Sequence, residues 1–240
     1  MTDTKQTQGL EIDSLNTYYG KAHVLHDVSL RVGPGERVAI LGRNGMGKTT
    51  LLKSIMNIGQ VKTQGSIRYG GEELTRMAAY QVARQGIGYV PQGWQLFRSL
   101  SVEEHLLMAY RKGGPGEWTP GRVLDIFPEI ARRRKVGGTR LSGGEQQILA
   151  IGRALVTNSS LLLMDEPSEG VSAMVLQRVD AICQDLSQGG KSILLVEQNL
   201  SLALTIAQRL YILVNGSVVH AASSPEFRED REKQAMYLGI

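Results

Sequence analysis

Between the apolar run Arg37 to Leu41 and the helically spaced "KTTLLKSIMN" stands "GRNGMGKTT", residues 42–50. Its spacing, G-x-x-x-x-G-K-[ST], is that of a loop that wraps phosphates, and the strand before and helix after give the motif its weight. The backbone N–H groups of Gly42, Arg43, Asn44, Gly45, Met46 and Gly47 can turn inward around phosphate oxygens. The helix start adds positive potential. Lys48 would bridge β- and γ-phosphates, the Thr49 hydroxyl would bind Mg²⁺, and Thr50 completes the loop. A glycine-rich turn without nucleotide is the competing reading, and the flanking elements argue against it.

A phosphate site of this kind needs a second anchor for Mg²⁺ and a way to activate water. "LLLMDEP" offers both, with Asp165 beside the metal and Glu166 nearer the γ-phosphate, where a carboxylate can act as general base or orient water. Alone, an acidic pair at a strand end could simply cap the next helix. A third candidate is the end of "KSILLVEQN", where a short apolar strand runs into Glu197, Gln198 and Asn199. A surface turn is the plain reading of that triplet; a site-facing edge is the other.

These residues need elements to hold them. "GLEIDSLNTYYG" and "VLHDVSLRVGPGERVAILG" read as strands joined by Gly-Pro turns, and "GSIRYGGEEL" as an outlying hairpin. Leu51, Leu52, Ile55 and Met56 make the apolar face of the helix after the phosphate loop. Helical patterns dominate from Ser101 to about Leu155, broken by "KGGPGEWTPG" and "KVGGTRLSGG". The strands "LLLMD" and "ILLVE" flank a helix from Ala173 to Leu186, and "RLYILVNGSVVH" is a hairpin around Asn-Gly. Strand and helix alternating at this pace predict an α/β fold with a mostly parallel sheet, into which the helical stretch is inserted.

The 240 residues suffice for one domain, and 42% hydrophobic with 21% charged residues is an ordinary globular balance. The opening "MTDTKQTQGL" lacks the apolar core of a signal peptide, and no apolar run reaches the roughly 20 residues of a membrane span. The single cysteine, Cys183, suits a reducing cytosol and is expected to pack as a small apolar residue. Net charge +4 is mildly basic. Its one dense cluster, "RRRK" (Arg132 to Lys135), has no interleaved aromatics, so no nucleic-acid partner is expected and a solvated helix end is the better reading.

"LSGGEQQ", Leu141 to Gln147, together with the phosphate loop and "LLLMDEP", resembles the ATP-binding subunits of ABC transporters over nearly the whole chain. The resemblance implies a P-loop NTPase (RecA-like) core, an N-terminal antiparallel β subdomain and an inserted helical subdomain at about 95–155, within one ATP-binding domain over 1–240. It implies ATP hydrolysis with Mg²⁺ by two such subunits that sandwich two nucleotides head to tail. Ser142, Gly143, Gly144 and Gln146 would serve the nucleotide held by the opposite subunit; the first three expose backbone donors at a helix start. Tyr19 looks like the aromatic that stacks on adenine, with Tyr18 as competitor, since adjacent strand residues face opposite ways. Gln92 in "GYVPQG" looks like the glutamine that contacts Mg²⁺ and water and senses the membrane partner; the helical insert would receive a cytoplasmic helix of that permease.

Two positions depart from the family's general pattern. Gln198 stands where most members have a histidine contacting the γ-phosphate, and Ser172 where an aspartate usually crosses to the partner. An amide can donate one hydrogen bond but cannot relay a proton as imidazole does. "NTYYGKAHVLHDVSL", "VEQN" and "AMYLGI" resemble one of two paired ATPases of branched-chain amino-acid importers, a group in which glutamine at 198 is usual. "SEGVSAM" departs from that group, which typically has Ser-Leu-Gly-Leu-Ala-Pro there, and Glu169 resembles the related urea and short-chain amide importers. The resemblance thus implies a peripheral subunit on the cytoplasmic face of the inner membrane, working with a permease, a second ATPase subunit and, indirectly, a solute-binding protein. Two rivals are a soluble ABC protein, which 240 residues without sustained heptads do not accommodate, and a non-hydrolysing regulatory module, against which Glu166 argues.

Overall fold

Alternation of apolar and polar residues near the N-terminus gives way to solid apolar runs further on, and two different sheets result. The computed structural model describes residues 9–114 and 116–239. Most of the polar opening, residues 1–8, and the last residue of "AMYLGI" lie outside the described residues. An antiparallel sheet runs in the order β2 (Ala22–Val32), β1 (Leu10–Tyr19), β4 (Lys62–Tyr69), β5 (Glu72–Glu73). A six-stranded sheet runs β10 (Ser217–Ser223), β9 (Arg209–Val214), β3 (Arg37–Leu41), β8 (Ser192–Glu197), β7 (Leu161–Asp165), β6 (Ile87–Val90). Its pairings are parallel except that of β10 with β9.

Ten helices fill the connections among the described residues: α1 (Lys48–Met56), α2 (Ala79–Arg84), α3 (Val102–Ala109), α4 (Pro120–Ile126), α5 (Pro128–Ala131), α6 (Gly143–Leu155), α7 (Ala173–Gln188), α8 (Leu200–Ile206), α9 (Ser224–Glu229) and α10 (Arg231–Leu238). The large sheet is α/β throughout, with a mostly parallel core. The β9–β10 hairpin turns on Asn215 and Gly216, both with positive φ, as the Asn-Gly pair predicts.

One expectation is corrected. "GSIRYGGEEL" does form a hairpin, β4 pairing antiparallel with β5, but not an outlying one, because β4 registers along β1 from Leu10↔Tyr69 to Tyr18↔Lys62. The alternation of Ile67 and Tyr69 explains this: both side chains are buried beneath the antiparallel sheet.

The large sheet separates two cores. Val38, Ile40, Leu163, Leu194, Val196 and Leu213 point toward α1 and the antiparallel sheet, meeting Leu51, Leu52, Ile55, Leu15, Leu25 and Val28. Ala39, Leu41, Leu162, Met164, Ile193, Leu195 and Ile212 point the other way, toward α3 to α8. This period-two division is why β3 and β8 read as continuous apolar runs. Cys183 lies fully inside the second core, and burial pushes its thiol up to about 12. In the basic cluster Arg133 pairs with Glu145 at 2.8 Å, while Arg132, Arg134 and Lys135 are exposed.

Candidate functional site

The phosphate loop connects β3, at the middle of the large sheet, with α1 behind it. Gly42 leaves β3 so close to β9 that an added Cβ would lie 2.5 Å from the carbonyl oxygen of Leu213. Gly47 takes φ 101°, a left-handed conformation that turns the chain into α1. We expect Gly42→Ala to cost about 1–3 kcal/mol through that overlap and to displace the loop. Thermal unfolding and nucleotide titration of the purified variant check both effects; a stable variant with unchanged affinity contradicts them.

A cavity of about 190 Å³ is lined by Val24, Asn44 to Thr50, Gln92 and Glu166. Lys48, the first residue of α1, is almost wholly buried and donates from Nζ to the carbonyls of Gly42 (2.9 Å) and Arg43 (3.2 Å). The same Nζ pairs with Glu166 Oε1 at 3.1 Å. The Thr49 hydroxyl donates to Asp165 Oδ1 at 3.1 Å, and Gln92 Nε2 to Glu166 Oε2 at 3.2 Å. Four segments distant in sequence thus converge on one cavity: Val24 of β2, the phosphate loop running into α1, Gln92 after β6 and Glu166 after β7.

Electrostatics follow from this crowding. Burial pushes the Asp165 carboxyl up to about 6, with the charge of Glu166 adding and the Thr49 and Tyr89 hydrogen bonds opposing. Two hydroxyls on one buried carboxylate form a cluster of hard oxygen ligands, the kind that Mg²⁺ prefers. Glu166 carries φ 47°, a left-handed backbone that costs a non-glycine residue roughly 1–3 kcal/mol. Its N–H is held by the carbonyl of Val196 on β8 at 2.9 Å. The strand next door therefore fixes the conformation in which its carboxylate faces Lys48.

The remaining expected residues divide into two groups. Gln198 is exposed and lines a neighbouring cavity of about 360 Å³ with Gly42, Arg43, Asn44 and Leu238. It therefore borders the phosphate loop. Ser142, Gly143, Gly144 and Gln146 do not line the loop cavity. Ser142 caps α6 in a box with Glu145, whose Oε2 accepts from the Ser142 N–H at 2.7 Å. Gln146 donates from Nε2 to the Leu141 carbonyl at 2.8 Å. Ser172 is exposed and caps α7.

Tyr18 and Tyr19 differ in surroundings. The Tyr18 ring stacks on His23 at 4.2 Å. Tyr19 shares strand parity with Thr17, whose hydroxyl bonds Ser54 of α1 at 2.9 Å. The Tyr89 hydroxyl donates to Asp165 Oδ2 at 3.3 Å.

Sequence reasoning missed several neighbours. Tyr89 carries no motif. Trp94 and Gln95, like Gly93, have left-handed backbones; Arg153 of α6 donates to the carbonyls of Gln95 (2.8 Å) and Trp94 (3.1 Å). The Trp94 ring lies 3.4 Å from where a Cβ on Gly143 would sit. Glu197 turns inward rather than toward the site and is fully buried. Burial raises its pKa, opposed by the Ser168 and Asn199 donors. Only its place at the end of a continuous apolar strand signalled anything unusual.

Comparison with known proteins fits this geometry. The ABC transporter family model matches residues 25–169. The chain is 40% identical to the high-affinity branched-chain amino acid transport ATP-binding protein BraG of Pseudomonas aeruginosa, covering 96% of this chain and 99% of that one. It is 35% identical to the probable branched-chain amino acid transport ATP-binding protein LivF of Archaeoglobus fulgidus, over 94% and 97%. Among solved structures it resembles the dimeric post-hydrolysis state of an ATP-binding cassette bound to ADP and Pi, with TM-score 0.77, 25% identity, and 90% and 98% of the two chains covered. A family model spanning the phosphate loop through Glu169, and a relative alike from end to end, lead to one conclusion: the chain belongs to the ABC transporter ATP-binding family and is an ATP hydrolase.

Proposed function

We propose that this chain energises an importer of branched-chain amino acids or a similar small solute. It would work as one of two ATP-binding subunits in a head-to-tail pair on the cytoplasmic face of the inner membrane, docked to permease subunits that receive solute from a binding protein. The observation that carries the reading is the convergence of Lys48, Thr49, Glu166 and Gln92 on one cavity, with Asp165 bonded to Thr49 beside it, in a chain alike to BraG over 96% of its length. Among the described residues no helix is long and apolar enough to cross a membrane. Purifying the chain from membranes and identifying what accompanies it, followed by uptake of labelled leucine into vesicles carrying the complex, tests this. Copurification of a permease with leucine uptake supports the reading; a soluble, partnerless chain overturns it.

In this reading the loop N–H groups and Lys48 bind the phosphates, and Thr49, Asp165 and Gln92 would hold Mg²⁺, which would supply charge neutralisation of the phosphates. Glu166 accepts the proton of the attacking water. Ser142 to Gly144 present their helix start to the nucleotide of the partner subunit. Residues 95–155 form the helical subdomain that meets the permease. A second substrate class, urea or short-chain amides, is favoured by Glu169, whose Oε2 lies 3.5 Å from Gln92 Nε2. Competition of leucine uptake by those amides separates the two.

Adenine is assigned to Tyr19, because Tyr18 already has a ring partner. Tyr19→Ala is expected to weaken ATP by roughly 1–3 kcal/mol, the usual worth of base-on-aromatic stacking. Fluorescent-nucleotide titration checks it. Weakening by Tyr18→Ala alone would move the adenine to the other face of β1.

A further inference from the structure

Glu197 stands at the end of β8, paired across the sheet with Leu41, the last residue before the phosphate loop. It is wholly buried, and among the described residues no basic side chain pairs with it. Burying a carboxylate without a counter-charge is costly, so its hydrogen bonds must hold something worth holding. Those bonds go two ways. Oε1 accepts from the Ser168 N–H at 3.0 Å, two residues beyond Glu166. Oε2 accepts from the N–H groups of Gln198 (3.2 Å) and Asn199 (3.1 Å).

We propose that Glu197 is a positioning residue for hydrolysis, its two oxygens setting the separation between the segment that carries Glu166 and the segment that carries Gln198. This rests on the roles assigned to Glu166 and Gln198 under the proposed function. The end of β8 grips Glu166 from both sides: the Val196 carbonyl takes its N–H, and Glu197 takes the N–H of Ser168. The left-handed backbone of Glu166 is thereby held between two fixed points. On the other branch, Glu197 anchors Gln198 where it borders Gly42 to Asn44. A carboxylate suits this task because it offers acceptors in two directions and no donor. A glutamine would turn its NH₂ toward one set of N–H groups and release that branch.

A plain structural role is the competing account, since Asn199 also caps α8 through its side chain. The experiment therefore uses the assembled transporter and reads kcat and KM for ATP, fluorescent-nucleotide affinity, and thermal unfolding. Glu197→Gln is expected to lower kcat about 10- to 100-fold, the scale of a misplacement near 1 Å, with no loss of nucleotide affinity. Glu197→Asp keeps both oxygens on a shorter stem and should retain more kcat than Glu197→Gln. Combined with Glu166→Gln and Gln198→Ala together, the Glu197→Gln change should add no further loss, because it acts through those two side chains. A lowered unfolding temperature with wild-type kcat overturns the proposal, as does an additive loss in that triple variant. Should Glu197→Gln fail to assemble, Glu197→Asp decides: reduced kcat at unchanged affinity supports the proposal and wild-type kcat overturns it. If Glu166→Gln itself hydrolyses at the wild-type rate, it is the reading of the site that fails.

Discussion

Glu166→Gln is expected to lower ATP turnover in the assembled transporter by about 10²-fold or more while leaving nucleotide bound. The amide keeps the size and the hydrogen bond from Gln92 but cannot accept the proton of water. The structure adds a second expectation. Glu166 Oε1 is one of three oxygens holding Lys48 Nζ, and both side chains are nearly excluded from solvent. Removing that carboxylate's charge leaves Lys48 with two carbonyls only, so phosphate oxygens meet less competition for it. Affinity for ATP should therefore rise as turnover falls, and the closed pair of subunits should accumulate. Single-turnover hydrolysis alongside equilibrium titration measures both. Near-wild-type hydrolysis would remove Glu166 from the chemistry, and a weakened affinity would contradict the competition at Lys48.

The second large effect concerns the two ends of the chain's contribution to a pair of sites. Gly143→Asp should stop most hydrolysis, while Gln198→Ala should matter much less. An aspartate in the first turn of α6 suits the helix, and its Cβ finds ordinary contact with Trp94, so the fold tolerates it. In the proposed head-to-tail pair the same charge would face the partner's γ-phosphate and repel it. The site that uses this chain's own loop has Gln198, an exposed amide that cannot relay a proton as imidazole does. If the partner keeps the histidine, the faster site is the one completed by Ser142 to Gly144 from this chain. Gln198→His should then raise activity by restoring a proton-sharing donor. Steady-state ATPase assays on the complex decide. A Gln198→Ala loss as deep as that of Gly143→Asp would show both sites firing equally.

Much of this was legible from local pattern. The phosphate loop is contiguous with the strand and helix that shape it, so its residues declare it without help from the rest of the chain. Asp165 and Glu166 declare themselves by ending an apolar strand. What the sequence could not show are contacts made by sheet order: β3 lies between β9 and β8, far from its neighbours in the chain. The pairing of Lys48 with Glu166, the Tyr89 hydroxyl on Asp165, and Trp94 against Gly143 all depend on that order. Glu197 was read with Gln198 and Asn199 as one polar edge. Strand periodicity sent it into the interior while its two neighbours stayed exposed.

Arg153 binds the carbonyls of Trp94 and Gln95, and the Trp94 ring abuts Gly143. The short segment that begins at Gln92 and the start of α6 are thus joined as a lever with two working ends. One end touches Glu166 of this subunit; in the proposed head-to-tail pair the other would meet the nucleotide of its neighbour. Thermodynamic reciprocity would then apply: if ordering one end strengthens binding at the other by some factor, the reverse effect has the same size. Occupancy of either nucleotide site would become information available at the other, with no separate relay required between them.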